Sequence, residues 1–382
     1  MLGSLLMSAP LSAADIQRYS RHLKLAEIGP AGQQRLKDAR VLLVGAGGLG
    51  SPAGLYLAAA GVGTLGLVDC DVVDESNLQR QVLFDTASIG APKSTVARRR
   101  LESLNPTIRV VDHQLELHAA NVAPLFNGYD LVIDGSDRIG TRYLVNDASV
   151  IYRKPLISAA IHRFEGQVMT YVPDRGPCYR CLFPHMAEGL VPNCADVGVL
   201  GVLPGVLGTI AATEAIKLIV GVGTPLLGRL LTYDALELRF DELRFSRRPD
   251  CAVCGPHPSI TVPSDPPGFC SLEELQRVRP ISPLELVQAL QSTHEPIGLV
   301  DVREPGEFAL GHLAQAINIP LAQIERSDSQ LPRHATVVFM CRSGVRSLKA
   351  CALARRAGIH RPLQLEGGLL AWKAAVEPSM PL

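Results

Sequence analysis

The chain has 382 residues, 47% of them hydrophobic and 19% charged, with 37 basic side chains set against 37 acidic ones. That composition suits two or three folded domains and excludes an extended disordered chain. Zero net charge gives no bulk attraction to nucleic acid. The longest basic run, Arg98-Arg99-Arg100, suits a solvated helix face, so no nucleic-acid partner is expected.

From the N-terminus, Met1 to Ala14 is mildly apolar but has neither a basic leader nor a full apolar core of the signal-peptide kind. Arg40 to Val44 reads as a strand, Ser51 to Ala60 as a helix with Pro52 in its first turn, and Thr64 to Asp69 as a second strand. Arg109 to Asp112 and Asp130 to Asp134 follow as third and fourth strands, and Gly205 to Leu218 as an apolar helix. Strands alternating with helices imply an α/β fold, a doubly wound and mostly parallel sheet of the Rossmann-like kind. The apolar stretch Val197 to Val222 is interrupted by Pro204 and carries Glu214 and Lys217, so no membrane partner is expected.

Residues 255–279 begin with a Pro-, Ser- and Gly-rich stretch and read as a linker between a first domain, 1–254, and a second, smaller α/β domain, 280–382. In the second, Pro283 to Leu290 and Ser347 to Ala357 read as helices, and Gly298 to Val302 and Thr336 to Met340 as strands.

Gly45-Ala46-Gly47-Gly48-Leu49-Gly50 matches G-x-G-x-x-G between a strand and a helix, where backbone N–H groups can approach phosphates. Asp69, at the end of the next strand, is placed for a ribose hydroxyl. Alone, the pattern also fits an NAD-dependent oxidoreductase. The run Ser76-Asn77-Leu78-Gln79-Arg80-Gln81, then Lys93, and the strand end Asp134-Gly135-Ser136-Asp137 change that reading. Two cations suit a triphosphate, a crevice aspartate suits Mg²⁺, and nothing is specialised for hydride transfer.

The nine cysteines include two Cys-x-x-Cys pairs, Cys178/Cys181 and Cys251/Cys254. An odd count in a long chain argues against a disulfide framework and for a reducing, cytoplasmic setting. Spacing alone leaves a Cys₄ zinc site, redox dithiols and free core cysteines all open. Cys194 stands alone in a polar stretch between the first pair and the apolar helix.

The chain from Asp15 to Gly255 resembles the MoeB/ThiF family, relatives of the ubiquitin-activating enzymes. The likeness rests on Arg18-Tyr19-Ser20-Arg21, the 45–52 glycine run, the 76–81 run, Gly90-Ala91-Pro92-Lys93 and the cysteine pairs. It implies that Gly48, Asp69, Asn77, Arg80 and Lys93 bind ATP and that Asp137 binds Mg²⁺. It also implies that the Cys₄ set holds structural Zn²⁺, and that Arg21 reaches the phosphates of a neighbouring subunit in a homodimer. Cys194 would meet the activated carboxylate. Ser20 and Arg138 stand where Asn is common, and the second change bears on the geometry near the α-phosphate.

In the second domain, Thr336 to Met340 runs into Cys341-Arg342-Ser343-Gly344-Val345-Arg346-Ser347 and then a helix. A cysteine there gains from N–H groups, the helix dipole and two arginines, which favours a thiolate or persulfide. A phosphatase loop of this type needs Cys-x₅-Arg, whereas here the spacing is Cys-x₄-Arg and Ser347 takes the later position. The region 280–375 resembles rhodanese sulfurtransferases through Leu299 to Glu304, Gly311-His312 and Glu366-Gly367-Gly368. The resemblance makes Cys341 the persulfide carrier, and Asp301 is expected to anchor the edge of the site.

Together the two resemblances imply adenylation of the C-terminal glycine of a ubiquitin-like sulfur-carrier protein ending Gly-Gly, then sulfur transfer to a thiocarboxylate. The sulfur donor would be a cysteine desulfurase or thiosulfate. Molybdopterin synthesis is the pathway this resemblance favours; thiamine synthesis and tRNA thiolation use the same chemistry. A scaffold that binds the carrier without activating it would not need Arg21, Arg80, Lys93 and Asp137 together.

Overall fold

Short runs of Val, Leu and Ile form the first sheet. In the computed structural model, which describes residues 10–184, 198–265, 270, 272–292, 296–324, 331–332 and 336–382, these are β1 (Arg40–Val44), β2 (Thr64–Val68), β3 (Arg109–His113), β4 (Leu131–Asp134) and β5 (Leu156–His162). They pair in parallel, and the sheet continues antiparallel through β6 (Glu165–Tyr171), β7 (Arg229–Asp234) and β8 (Arg239–Arg244), in the order β3-β2-β1-β4-β5-β6-β7-β8. Leu43 stands in register with Leu67 on one side and Ile133 on the other.

Helices cover both faces of the parallel half, which is why its strands are apolar at nearly every position. Leu43, Leu65 and Leu67 pack against Ala53, Leu57 and Leu101. The alternate residues Leu42, Val44 and Val132 pack with Val122, Phe126 and Leu144 on the other face. The helix Leu203–Val220 lies on the first of these faces through Leu203, Leu207, Ala211 and Ala215. Pro204 sits in its first turn, so the helix begins there and does not extend back over the preceding apolar residues. Its 18 residues, of mean hydropathy 1.5, are long and apolar enough to cross a membrane by length and composition; half of them are buried within the protein. Its buried Glu214 accepts from the Thr170 hydroxyl and the Leu226 N–H, each at 2.7 Å, and pairs with Lys217.

The chain divides into two compact units between Pro266 and Pro267. The second holds its own five-stranded sheet of β9 (Arg279–Ile281), β10 (Ile297–Asp301), β11 (Ile317–Asn318), β12 (Thr336–Met340) and β13 (Pro362–Leu365). All pairings are parallel, in the order β11-β10-β12-β13-β9. The helix Pro283–Gln291 starts on a Ser282/Glu285 capping box, which is worth about 1 kcal/mol. Val300, Val337 and Phe339 face one side with Ala350 and Leu353, and Leu299, Val338 and Met340 the other with Leu369 and Trp372.

Candidate active sites

β1 has β2 on one side and β4 on the other, so the chain leaves these neighbours in opposite directions and opens a crevice beyond their ends. The glycine loop fills the base of that crevice. Gly45 has φ +91°, and a Cβ on Gly50 would stand 1.9 Å from the Gly45 carbonyl oxygen, so the turn requires glycine at both. The Asp69 carboxylate accepts the Ala46 N–H at 2.8 Å and the Asp71 N–H at 2.9 Å, tying the loop to the end of β2. Burial pushes the Asp69 carboxyl above its ordinary range, against the pull of Lys93. Lys93 opens the helix Lys93–Leu104 and is buried, its Nζ 3.1 Å from Asp71.

Gly48, Asp69, Arg80, Lys93, Asp137 and Arg138 all line this one cleft. Two expected residues do not line it. Asn77 is used in the capping box of the short helical turn Glu75–Asn77, where its Oδ1 accepts the Asp74 N–H at 3.4 Å. Arg21 is exposed on the short helix Ser20–Leu23, away from the cleft of its own chain.

Arg138 pairs with Glu116, which also lines the cleft, so part of its charge is already matched. The structure adds Arg142, which the motifs did not single out. Arg142 lines the cleft and donates to the Ser136 carbonyl at 2.9 Å. Asp134 is fully buried at the end of β4, with Oδ1 accepting the Ser136 N–H and hydroxyl at 3.0 and 2.6 Å. Its burial pushes the carboxyl up, and its Oδ2 has no partner among the described residues. Glycine-loop N–H groups, Arg80, Lys93 and Arg142 suit a polyphosphate, and the exposed Asp137 carboxylate suits a hydrated divalent cation beside it.

Cys178, Cys181, Cys251 and Cys254 converge from the segments following β6 and β8, all four buried and with sulfurs within 4.8 Å of one another. Sulfur separations of 4.0, 3.6 and 3.4 Å join Cys178 to Cys181, Cys178 to Cys251, and Cys181 to Cys254. A tetrahedral ion with bonds of about 2.3 Å requires sulfurs about 3.8 Å apart, so the donor set and spacing fit zinc. The Arg248 N–H points at the Cys181 sulfur from 3.4 Å. Arg180 holds Asp147 through two bonds of 2.7 Å, and the Tyr179 N–H donates to Asn146 at 2.8 Å, which fixes the first pair to the helix Ile139–Ile151. Cys194 lies outside the described residues.

In the second unit Cys341 is fully buried at the end of β12. Its sulfur accepts N–H groups from Gly344 at 3.2 Å and Ser347 at 3.4 Å. The Glu366-Gly367-Gly368 turn closes the back of this loop: a Cβ on Gly368 would stand 2.4 Å from the Cys341 carbonyl and 2.6 Å from the Gly344 nitrogen. Asp301 is a buried anchor, as expected, gripping Arg303 at 2.7 Å while Arg303 reaches the Gly311 carbonyl at 2.6 Å. Arg342 and Ser343 are exposed, as is Val345. Arg346 does not leave its charge open to the loop: it makes two bonds to Glu307, at 2.6 and 2.7 Å, and holds that carboxyl below its usual range.

Residues 19–253 match the ThiF family and residues 282–375 the rhodanese-like domain. The probable adenylyltransferase/sulfurtransferase MoeZ of Mycobacterium tuberculosis is 44% identical over 385 residues, covering 98% of this chain and 96% of that protein. The adenylyltransferase and sulfurtransferase MOCS3 of Drosophila ananassae is 41% identical, covering 97% and 86%. Among solved structures, E. coli MccB with ATP superposes with a TM-score of 0.56 at 26% identity, covering 64% of this chain and 75% of that one. The glycine loop, three of the four paired cysteines and the persulfide-type loop fall within these family matches: the chain belongs to the ThiF family, with a rhodanese-like domain following its ThiF domain.

Proposed function

We propose that this protein is an adenylyltransferase and sulfurtransferase that activates the C-terminal glycine of a ubiquitin-like sulfur-carrier protein and converts it to a thiocarboxylate. The observation that carries the reading is one chain holding both a cation-lined nucleotide cleft and a cysteine ringed by N–H donors. Its likeness to MoeZ and MOCS3 over nearly its full length supports the same assignment, and molybdopterin synthesis as the pathway.

In the first half-reaction the carrier's carboxylate attacks the α-phosphate of ATP, and pyrophosphate leaves. Anions are brought together, so Arg80 and Lys93 are assigned to the phosphates and Asp69 to the ribose, while Gly48 lets the backbone approach. Asp137 would hold Mg²⁺, which supplies further charge neutralisation when bound. Arg21, exposed and away from its own cleft, is assigned to the cleft of a second copy, which makes the working form a homodimer. Asn77 would reach the nucleotide by giving up its place in the capping box.

In the second half-reaction Cys341 carries a persulfide received from a cysteine desulfurase or thiosulfate. Its terminal sulfur attacks the activated carbonyl and AMP leaves. The acyl-disulfide so formed is cleaved by a second thiolate, assigned to Cys194, which forms a disulfide with the Cys341 sulfur and releases the thiocarboxylate. Cys194 is assigned to the meeting with the carrier, and the four knuckle cysteines to one structural zinc. A reducing, cytoplasmic location is assigned with them, since zinc-binding and persulfide-carrying cysteines must be kept out of disulfides.

Two variants test the reading. Asp137→Ala should abolish carrier-dependent ATP–pyrophosphate exchange while zinc content stays unchanged; undiminished exchange removes Asp137 from the mechanism. Cys341→Ala should keep exchange but lose thiosulfate:cyanide turnover and the carrier's mass gain from oxygen replaced by sulfur. Thiocarboxylate formed at the normal rate by that variant would place the sulfur elsewhere.

A further inference from the structure

The sulfur of Cys341 faces a third group besides the two N–H donors. The Ser347 hydroxyl oxygen lies 3.6 Å away, positioned to accept from the thiol S–H. Ser347 is wholly buried on the helix Val345–Arg356, and its own O–H donates to the Gly344 carbonyl at 3.0 Å. The protons thus run in a chain from sulfur to hydroxyl to carbonyl.

That chain cannot persist once the thiol ionises. A thiolate has no proton to give and takes only donors, while a hydroxyl can serve as either donor or acceptor. The Ser347 hydroxyl reaches the sulfur by rotation about its Cβ–Oγ bond alone, leaving the Gly344 carbonyl behind. That carbonyl is not orphaned, because it also receives the Leu348 N–H at 3.1 Å and the Gln364 side-chain amide at 3.3 Å. Leaving a buried acceptor unpaired would oppose the rotation; here two other donors remove that obstacle.

We propose that Ser347 is a two-position hydroxyl: it accepts from the Cys341 thiol and turns to donate to the thiolate, giving the anion its third hydrogen bond for sulfur loading. This rests on the reading of Cys341 as the sulfur-carrying nucleophile. In loading from thiosulfate, the Cys341 thiolate attacks the outer sulfur and a new S–S bond forms. The bond to the sulfonate sulfur breaks, and its electron pair leaves with sulfite. The negative charge has then moved to the terminal sulfur of the persulfide, and the hydroxyl returns to Gly344.

The test is the pH dependence of kcat/KM for thiosulfate with cyanide as acceptor, measured on the full chain; this quantity reports ionisations of the free enzyme, and thiosulfate stays a dianion throughout. Ser347→Ala should lower it about tenfold at neutral pH, the effect of one hydrogen bond to a charged group. It should recover towards the unsubstituted rate in alkali, so that the profile is displaced to higher pH. An unchanged profile overturns the proposal, and so does an equal loss at every pH, which would mean a purely structural role.

Gln364→Leu keeps both sulfur and hydroxyl and provides the same test should Ser347→Ala fail to fold. With one competing donor gone, the Gly344 carbonyl holds the hydroxyl more firmly, so the profile should move the same way, by roughly threefold at neutral pH. An unmoved profile there counts against the proposal. Turnover retained by Cys341→Ala would instead sink the reading of Cys341 itself, so the two failures are distinguishable.

Discussion

Two sets of cysteine sulfur in this chain are buried alike and surrounded in opposite ways. At the knuckles, four sulfurs lie within 4.8 Å of one another, so a shared anionic state needs a cation among them. At Cys341, N–H groups from Gly344 and Ser347 meet the sulfur. Cys351, on the helix that follows, differs: no N–H group meets its sulfur among the described residues, and burial pushes its thiol up. Burial disfavours a charged sulfur, and what faces the sulfur decides whether that charge can be held by a metal or by backbone dipoles.

The sharpest way to break that contrast is at the knuckles. Cys251→Ser should empty the site of metal and cost about 4 kcal/mol or more, the range in which metal loss falls. That lowers the melting of the first unit by roughly 10 °C, while thiosulfate:cyanide turnover by the second unit stays intact. Elemental analysis of the unsubstituted protein should give about one zinc per chain, as one Cys₄ site requires; a metal-free, equally stable preparation would undo the assignment.

A smaller effect is expected at the loop. Gly368 has φ +62° and no space for a Cβ against Cys341 and Arg342. Gly368→Ala should therefore destabilise the second unit by about 2 kcal/mol and depress sulfur transfer, with zinc content unchanged. A variant as stable and active as the parent would mean that this turn does not shape the loop.

Smallest of all is the Arg346–Glu307 pair, whose side chains are about one-third exposed. Glu307→Gln should cost about 0.5 kcal/mol near neutral pH. Because Arg346 holds the Glu307 carboxyl below its usual 4.5, the pair's contribution is complete above that value and fades as pH falls through the lowered one. Chemical denaturation at pH 7 and pH 3 should show the variant's deficit at the first and almost none at the second.

Four of the parallel strands of the first sheet, two of the second (β10 and β12) and the two loops were legible because their signals are local. Arg40 to Val44 is apolar and ends in glycine, and a cysteine between strand and helix is visible without coordinates. The antiparallel extension was not: β8 reads Arg-Phe-Asp-Glu-Leu-Arg and is exposed at all six positions, so neither alternation nor apolarity marks it. Side-chain employment was also hidden. The motif around Asn77 does not reveal that its amide closes a cap. The matching of Arg138 by Glu116, 22 residues away, and of Arg346 by Glu307, 39 residues away, depends on tertiary placement that no spacing rule contains.

The division at Pro266 has a consequence for how the protein comes apart. Each unit carries its own sheet and its own apolar clusters, so two cooperative melts are expected where a single-domain chain would give one. A calorimetric trace should resolve into two components, with metal chelation moving the component of the first unit and Gly368→Ala that of the second. A single fitted midpoint would average two separate events and assign a substitution's cost to the wrong half of the chain.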